Sequence, residues 1–268
     1  MYLSKFDLSG RVAVVTGAAG SLGGAAADAL SEAGATVVLV DREAERLSGV
    51  AERLEALGRT VLPVAMDVTR FDDLEGLAST VDDELGRVDV LANFAGPASL
   101  GPPEEIPIEA VAETIHAIVV ARFRLCQLMG RRMLAAGRGS IINTGSLSSV
   151  SALGRGHVAY SMAMGAVIQM TRELSTEWAG RGVRVNAILP GQILNPGLQQ
   201  RFDDDPMLER RILRGLPIGR IGVRDDVGGL VLLLASDASS FLTGALIPID
   251  GGNLAKNAGG SHPGMEDA

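Results

Sequence analysis

The sequence predicts an α/β fold, doubly wound, with a parallel sheet of about seven strands and helices on both faces. Three observations carry this. Short β-branched apolar runs recur along the chain. Stretches with a helical spacing of apolar residues separate them. The strand runs are continuously apolar instead of alternating, as strands covered on both faces require.

In order, the strands are expected at Arg11–Thr16, Thr36–Val40, Val61–Met66, Val88–Ala92, Ser140–Thr144, Val183–Leu189 and Ala245–Ile249. Between them, helices are expected at Leu22–Ala33, Glu43–Leu57, Phe71–Leu85, Ile108–Ala136, Val158–Ala179 and Asp225–Leu234. Strand and helix alternate throughout, which implies parallel pairing through crossovers. No internal repeat interrupts the pattern. The Gly-rich end of the chain is weakly patterned and is expected to be mobile or to lie on a neighbouring subunit.

Composition narrows the function. Hydrophobic residues make up 47% of the chain, enough for a large core and too many for a disordered one. The net charge of −8 argues against a nucleic-acid backbone or an anionic membrane as the main partner. It leaves an anionic cofactor open, because backbone N–H groups hold phosphates without side-chain charge. Cys126 is the only cysteine, so neither an internal disulfide nor a cysteine metal cluster can form within one chain. No metal site is expected. The first ten residues lack an apolar h-region, and the apolar run Leu230–Ala235 is too short for a membrane span. A soluble, cytoplasmic chain is the expectation. Lys5 and Lys256 are the only lysines, and Tyr2 and Tyr160 the only tyrosines.

The first strand runs into Thr16-Gly17-Ala18-Ala19-Gly20-Ser21-Leu22-Gly23 and then a helix. Gly17 and Gly23 permit a tight turn. With Ser21 and Leu22 they bring backbone amides close to a pyrophosphate at the helix N-terminus. Asp41 ends the second strand, where a carboxylate binds ribose hydroxyls and repels a 2′-phosphate, favouring NAD over NADP. Arg42 beside it is a competing phosphate ligand, and Asp41 also suits a helix N-cap. Asp67 and Val68 end the third strand, where a carboxylate or an amide meets an adenine edge. Asn93, Ala95 and Gly96 end the fourth, where small residues let a ligand approach.

With these motifs in order, the chain resembles the short-chain dehydrogenase/reductase family from Phe6 to Asn253. TGAAGSLG is similar to the family's TGxxxGxG, with Ser21 at the middle glycine, and Asn93-Phe94-Ala95-Gly96 is similar to NNAG. Arg184–Gly191 (RVNAILPG) and Ile249–Gly252 (IDGG) match well. The resemblance implies a single Rossmann-type domain over residues 1–253, a tail over 254–268, a nicotinamide cofactor and a homotetramer built on the long fourth and fifth helices. It also implies a catalytic Asn, Ser, Tyr and Lys. Tyr160 falls at the tyrosine position as general acid/base, and Ser146 at the serine, with Ser148 as fallback. The interval between Ser146 and Tyr160 is one residue longer than usual, which an insertion within Leu147–Gly156 accommodates. Met164 stands at the lysine position, and Val119 at the asparagine position when aligned through Leu125-Cys126. His157, His116, Arg155 and Arg122 are the candidate replacements, each with a plainer structural role as the alternative.

Beyond Pro190 and Gly191, Ile193 and Asn195 occupy the segment that meets the nicotinamide in the family, Asn195 standing where a threonine is common. Gly197–Leu216 falls where the family carries a substrate lid, and a solvated surface helix is the alternative there. Met162, Met164 and Met170 read as core or subunit contacts. The leading reading is an NAD(H)-dependent oxidoreductase that interconverts a secondary alcohol and a ketone, favouring reduction. The alternatives are a catalytically impaired subunit or NAD-binding pseudoenzyme, paired in one version with an active homologue, and a non-redox dehydratase or isomerase on the same fold.

Overall fold

The computed structural model describes residues 1–256. Its core is one sheet in the order β3-β2-β1-β4-β5-β6-β7, with β1 at Val12–Thr16, β2 at Thr36–Asp41, β3 at Val61–Ala65, β4 at Val90–Asn93, β5 at Gly139–Thr144, β6 at Val183–Pro190 and β7 at Leu246–Ile249. Every neighbouring pair is parallel. The predicted strands are all present, displaced by a residue or two at their ends.

Alternate strand residues feed two cores, because successive side chains leave opposite faces of a strand. On one face Ala13, Val15, Val37 and Leu39 pack against α1 (Ser21–Glu32), α2 (Ala44–Ala56) and α9 (Asp225–Ala235). On the other, Val12, Val14, Val38 and Val40 meet α3 (Phe71–Leu85), α5 (Ala121–Ala136) and α6 (Val158–Trp178). Each large aliphatic side chain so enclosed contributes about 1.5–3 kcal/mol. This double enclosure is why the strands show no polar alternation.

The helix expected over Ile108–Ala136 is interrupted. It runs as α4 (Ile108–Ile115), a π-helical turn over His116–Val120, and then α5. A π turn inserts a residue into the helical ladder and re-aims the side chains beside it. The Gly197–Leu216 segment contains two short helices, α7 (Pro196–Asp204) and α8 (Pro206–Leu213), the second capped by the Asp205 carboxylate. At the end of the described chain, Leu254 N–H donates to Asp250 at 2.8 Å, so the beginning of the expected tail is tied to the body. The rest of that tail lies outside the described residues.

The order of the sheet reverses between β1 and β4. Crossovers leave β1 toward β2 and then return to its other side at β4, which opens a crevice at the carboxyl ends of the strands. At the opposite ends the charges are paired. Asp89 is buried there and accepts from Val12 N–H at 2.9 Å and from the Arg87 guanidinium at 2.6 and 2.8 Å. Among the described residues no helix is long and apolar enough to cross a membrane.

Candidate active site

The crevice begins with the turn after β1. Gly17 has φ +71°, and a Cβ there would stand 3.0 Å from the Ala95 nitrogen. The glycine therefore serves both the left-handed turn and the close approach of the segment after β4. Thr16 Oγ1 locks that approach by accepting from the Phe94 and Ala95 amides at 3.2 Å each. Gly23 packs back on the turn: a Cβ there would fall 2.1 Å from Gly17 O. Helix α1 starts at Ser21 with no side-chain cap and no acidic residue in its first turn. Its leading N–H groups are thus available to an anion.

A cleft of about 320 Å³ follows the turn, lined among others by Gly17, Asp41, Asp67, Val68, Ala95 and Gly96. Asp41 accepts from Ala19 N–H at 3.0 Å and from Glu43 N–H at 3.1 Å. Its carboxylate orients the turn and still borders the cleft. Arg42 also lines the cleft and pairs with Glu43 at 3.4 Å. The Thr69 backbone amide, helped by the Thr69 hydroxyl, holds the Asp67 carboxyl below its ordinary pKa. Asn93 does not reach the cleft with its side chain. It is buried and donates to Asn143 Oδ1 at 3.0 Å and toward Cys126 Sγ at 3.4 Å. Its side chain ties β4 to β5, while Ala95 and Gly96 line the cleft.

A second cavity, of about 160 Å³, shares the same turn through Ser21 and Leu22 and brings in Thr144, Ser146, Tyr160, Pro190, Gly191, Ile193 and Asn195. Ser146 sits just beyond β5 and Tyr160 in the first turn of α6. The fold thus closes their long sequence interval. Ser146 Oγ accepts from Ser148 N–H at 3.2 Å, and Ser146 N–H donates to Ser149 Oγ at 3.1 Å. Accepting fixes the oxygen and leaves the Ser146 proton to be donated. Asn195 caps α7, accepting from Leu198 N–H at 3.0 Å and donating to Ile193 O at 3.2 Å. Part of its amide capacity is therefore already used.

Behind Tyr160 the surroundings are apolar. Met164 is 5% exposed and packs in a cluster with Ile118, Ala163 and Val167, joined by Ile115, Val119 and Tyr160. The π turn carries both Ile118 and Val119. Ile118 is the residue against Gly96, where an added Cβ would meet its Cγ1 at 3.1 Å. The position facing the end of β4 is thus one residue before the expected Val119, and it too is aliphatic. His116 bonds Thr69 O at 2.8 Å through Nε2, and its ring lies tilted against Phe71 at 5.4 Å. His157 bonds Gly154 O at 2.7 Å through Nδ1, with its ring edge-on to Tyr160 at 6.2 Å. Arg155 is exposed in the same loop.

Two residues of the site gave weak sequence signals. Thr144 Oγ1 is buried without a hydrogen-bond partner, on a residue that lines the second cavity. Arg122, noted in the sequence only as one of several charge sources, is 4% exposed beneath both cavities. It donates to Thr144 O at 2.6 Å and to Ala95 O at 3.0 Å. Burial pulls its pKa down to about 10 and pushes the Cys126 thiol up to about 12. Arginine on a helix reads as surface, so only the fold reveals its burial.

Comparison with known proteins fits this geometry. A family model described as enoyl-(acyl carrier protein) reductase matches residues 17–253. The chain is 37% identical to D-threitol dehydrogenase of Mycolicibacterium smegmatis, covering 94% of this chain and 95% of that protein. The chain is a short-chain dehydrogenase/reductase. It is also 37% identical to an NAD-dependent glycerol dehydrogenase of Listeria innocua, covering 94% of this chain and 96% of that one. A crystal structure of gluconate 5-dehydrogenase from Burkholderia cenocepacia, in complex with NADP and tartrate, superposes with a TM-score of 0.89 at 29% identity. It covers 95% of this chain and 99% of that chain. The residues present suit the family's nicotinamide dinucleotide: a turn with no room for side chains, an uncapped helix N-terminus, and an unpartnered Thr144 hydroxyl in the adjoining cavity.

Proposed function

We propose that the protein is an NAD(H)-dependent oxidoreductase that interconverts a secondary alcohol of a small polyol and the corresponding ketone. The observation that carries this reading is the convergence of Ser146 and Tyr160 in one cavity that begins, at Ser21 and Leu22, where the border of the nucleotide cleft at Gly17 and Gly20 ends. The dehydrogenase names of the relatives support redox chemistry over a dehydratase, an isomerase or a non-catalytic subunit. The threitol and glycerol in two of those names support a polyol.

Bound in the cleft, the dinucleotide would supply the hydride donor or acceptor at its nicotinamide C4. The α1 N-terminus, Gly17 and Ser21 would hold the pyrophosphate through backbone amides, and Asp67 and Val68 would border the adenine. Asp41 would bind the ribose hydroxyls. Its negative charge beside the cleft supports NAD over NADP. Gly191, Ile193 and Asn195 would border the nicotinamide. Ser146 donates its hydroxyl proton to the substrate oxygen, and Tyr160 passes a proton to or from that oxygen.

On this reading Met164 would occupy the position of the family's Lys and an aliphatic residue of the π turn, Ile118 or Val119, that of its Asn. Ketone reduction needs a proton donor, and a tyrosine hydroxyl serves as one without a lysine beside it. This supports reduction as the favoured direction. A homotetramer accompanies the proposal. Val120 in the π turn, Phe123 on α5, and Val158 and Met162 on α6 are exposed apolar residues suited to a subunit contact. The single cysteine suits a reducing cytoplasm. Oxidation of NADH with a panel of small ketoses tests the reading. Ketose-dependent turnover with NADH ahead of NADPH is expected; substrate conversion without change in nicotinamide absorbance would overturn it.

A further inference from the structure

The carboxylates at the amino ends of the strands are paired, yet the arginines there outnumber them. A cavity of about 230 Å³ opens at that end of the sheet, opposite the crevice and larger than the cavity that holds Tyr160. Arg11, Asp89, Arg138, Arg184 and Asp237 line it. Gly139 and Gly182 add to the wall without a side chain to fill the space. These residues stand at or just before the starts of β1, β4, β5 and β6, and in the turn after α9.

Asp89 holds Nε and Nη2 of Arg87, at 2.8 and 2.6 Å, and Asp237 holds Arg11 at 2.6 Å. Each carboxylate is thereby matched by one guanidinium. Arg138 and Arg184 are left over. Arg138 approaches Asp89 only through Nε at 3.4 Å, and its side chain is 63% exposed. Arg184 forms no ion pair among the described residues. Its terminal nitrogens donate to the carbonyls of Leu234, Ser236 and Leu242 and to Ser239 Oγ. Those neutral acceptors fix the fork and leave its charge uncancelled. Two surplus positive charges therefore border one cavity, in a chain whose net charge is −8. Like charges gathered in partly buried surroundings repel one another unless an anion joins them.

We propose that this cavity binds a small divalent oxyanion of the phosphate type. Arg138 and the remaining N–H groups of Arg11 donate hydrogen bonds to it, and Arg184 supplies fixed charge beside them. Guanidinium forks suit such an anion because they present paired donors to its oxygens. The bound anion ties the starts of β1, β5 and β6 to the turn after α9. The site is independent of the redox reading, since none of its residues lines the nucleotide cleft or the Tyr160 cavity.

Inorganic phosphate, titrated into the full chain by calorimetry and followed in parallel by the melting midpoint, tests the site. Phosphate excluded from the surface stabilises most proteins without saturating, whereas a site saturates. Saturable uptake is expected, with the midpoint raised by about 3 °C at ten times the dissociation constant. Sodium chloride at matched ionic strength should not reproduce it. Arg138→Gln should weaken phosphate about tenfold, as loss of one charge-assisted contact requires, and Arg138→Glu should abolish binding. Arg138 is largely exposed, so both variants are expected to fold; circular dichroism checks this, and Arg11→Gln is read in the same way. Arg155→Gln, at the carboxyl end of the sheet, should bind like the parent. Phosphate held as tightly by the folded variants as by the parent overturns the proposal. So does a midpoint that never saturates, or one that chloride or Arg155→Gln changes equally. Phosphate that ADP displaces and that the Arg138 variants retain would sit in the nucleotide cleft, which also overturns it.

Discussion

The nucleotide side and the tyrosine side of the crevice are built on opposite principles. On the nucleotide side the backbone does the work: Gly17 removes side chains from the approach, α1 presents bare amides, and Asp41 is locked by the Ala19 and Glu43 N–H groups. On the tyrosine side, side chains decide. Tyr160 stands between a polar wall of Ser146 and Thr144 and an apolar cluster of Ile118, Val119 and Met164. The difference is one of kind: backbone geometry sets the nucleotide side, whereas the character of the tyrosine side changes with each side chain that faces it.

The largest effect should come from the tyrosine side. Tyr160→Phe is expected to lower kcat for ketose reduction by about 10³-fold, within the span of general acid catalysis, with KM little changed. A kcat within a few-fold of the parent would show that the proton travels elsewhere. Beneath it, the buried Cys126 should be almost inert. A thiol held near 12 instead of its ordinary 9.0 has about 10³-fold less thiolate at neutral pH. Alkylation followed by mass spectrometry should label it only after unfolding, and rapid labelling of the native protein would contradict the closed packing behind the site.

On the nucleotide side, Asp41→Asn keeps an acceptor for the turn and removes the charge. The ratio of NAD to NADP affinity, measured by calorimetry, should fall about tenfold, as loss of one charge-assisted contact requires. An unchanged ratio would assign cofactor choice to Arg42, which also lines the cleft. The smallest effect is expected for Met164→Lys. A lysine one turn beyond Tyr160 should raise alcohol oxidation near neutral pH a few-fold. The gain is modest because the apolar cluster around residue 164 disfavours the charged ammonium. No gain with cofactor bound would mean that the tyrosine side serves another chemistry.

These two sides were also unequally legible in the sequence. The sheet, its crossovers and the Gly17 turn follow from local patterns, since strand burial and turn geometry leave marks within a few residues. The pairing of Ser146 with Tyr160 was legible through motif order. The position of Asn93 at a strand end says nothing about which way its amide turns, and here the amide ties β4 to β5. Ile118 was not singled out because alignment through Leu125-Cys126 points to Val119, and only the folded π turn shows Ile118 against Gly96. Arg122 carried too weak a signal because burial of an arginine depends on carbonyls contributed by distant strands.

The central claim is direct hydride exchange between a nicotinamide and a small polyol carbon. Incubation with NADH carrying deuterium at C4, and mass analysis of the product formed from a small ketose, tests it without coupled reagents. The account predicts one deuterium on the new carbinol carbon when the C4 position used by the enzyme is labelled, and a loss of that label on the scale of the kcat effect in Tyr160→Phe. Product formed without deuterium from either C4-labelled form, or labelled equally fast by the phenylalanine variant, would contradict it.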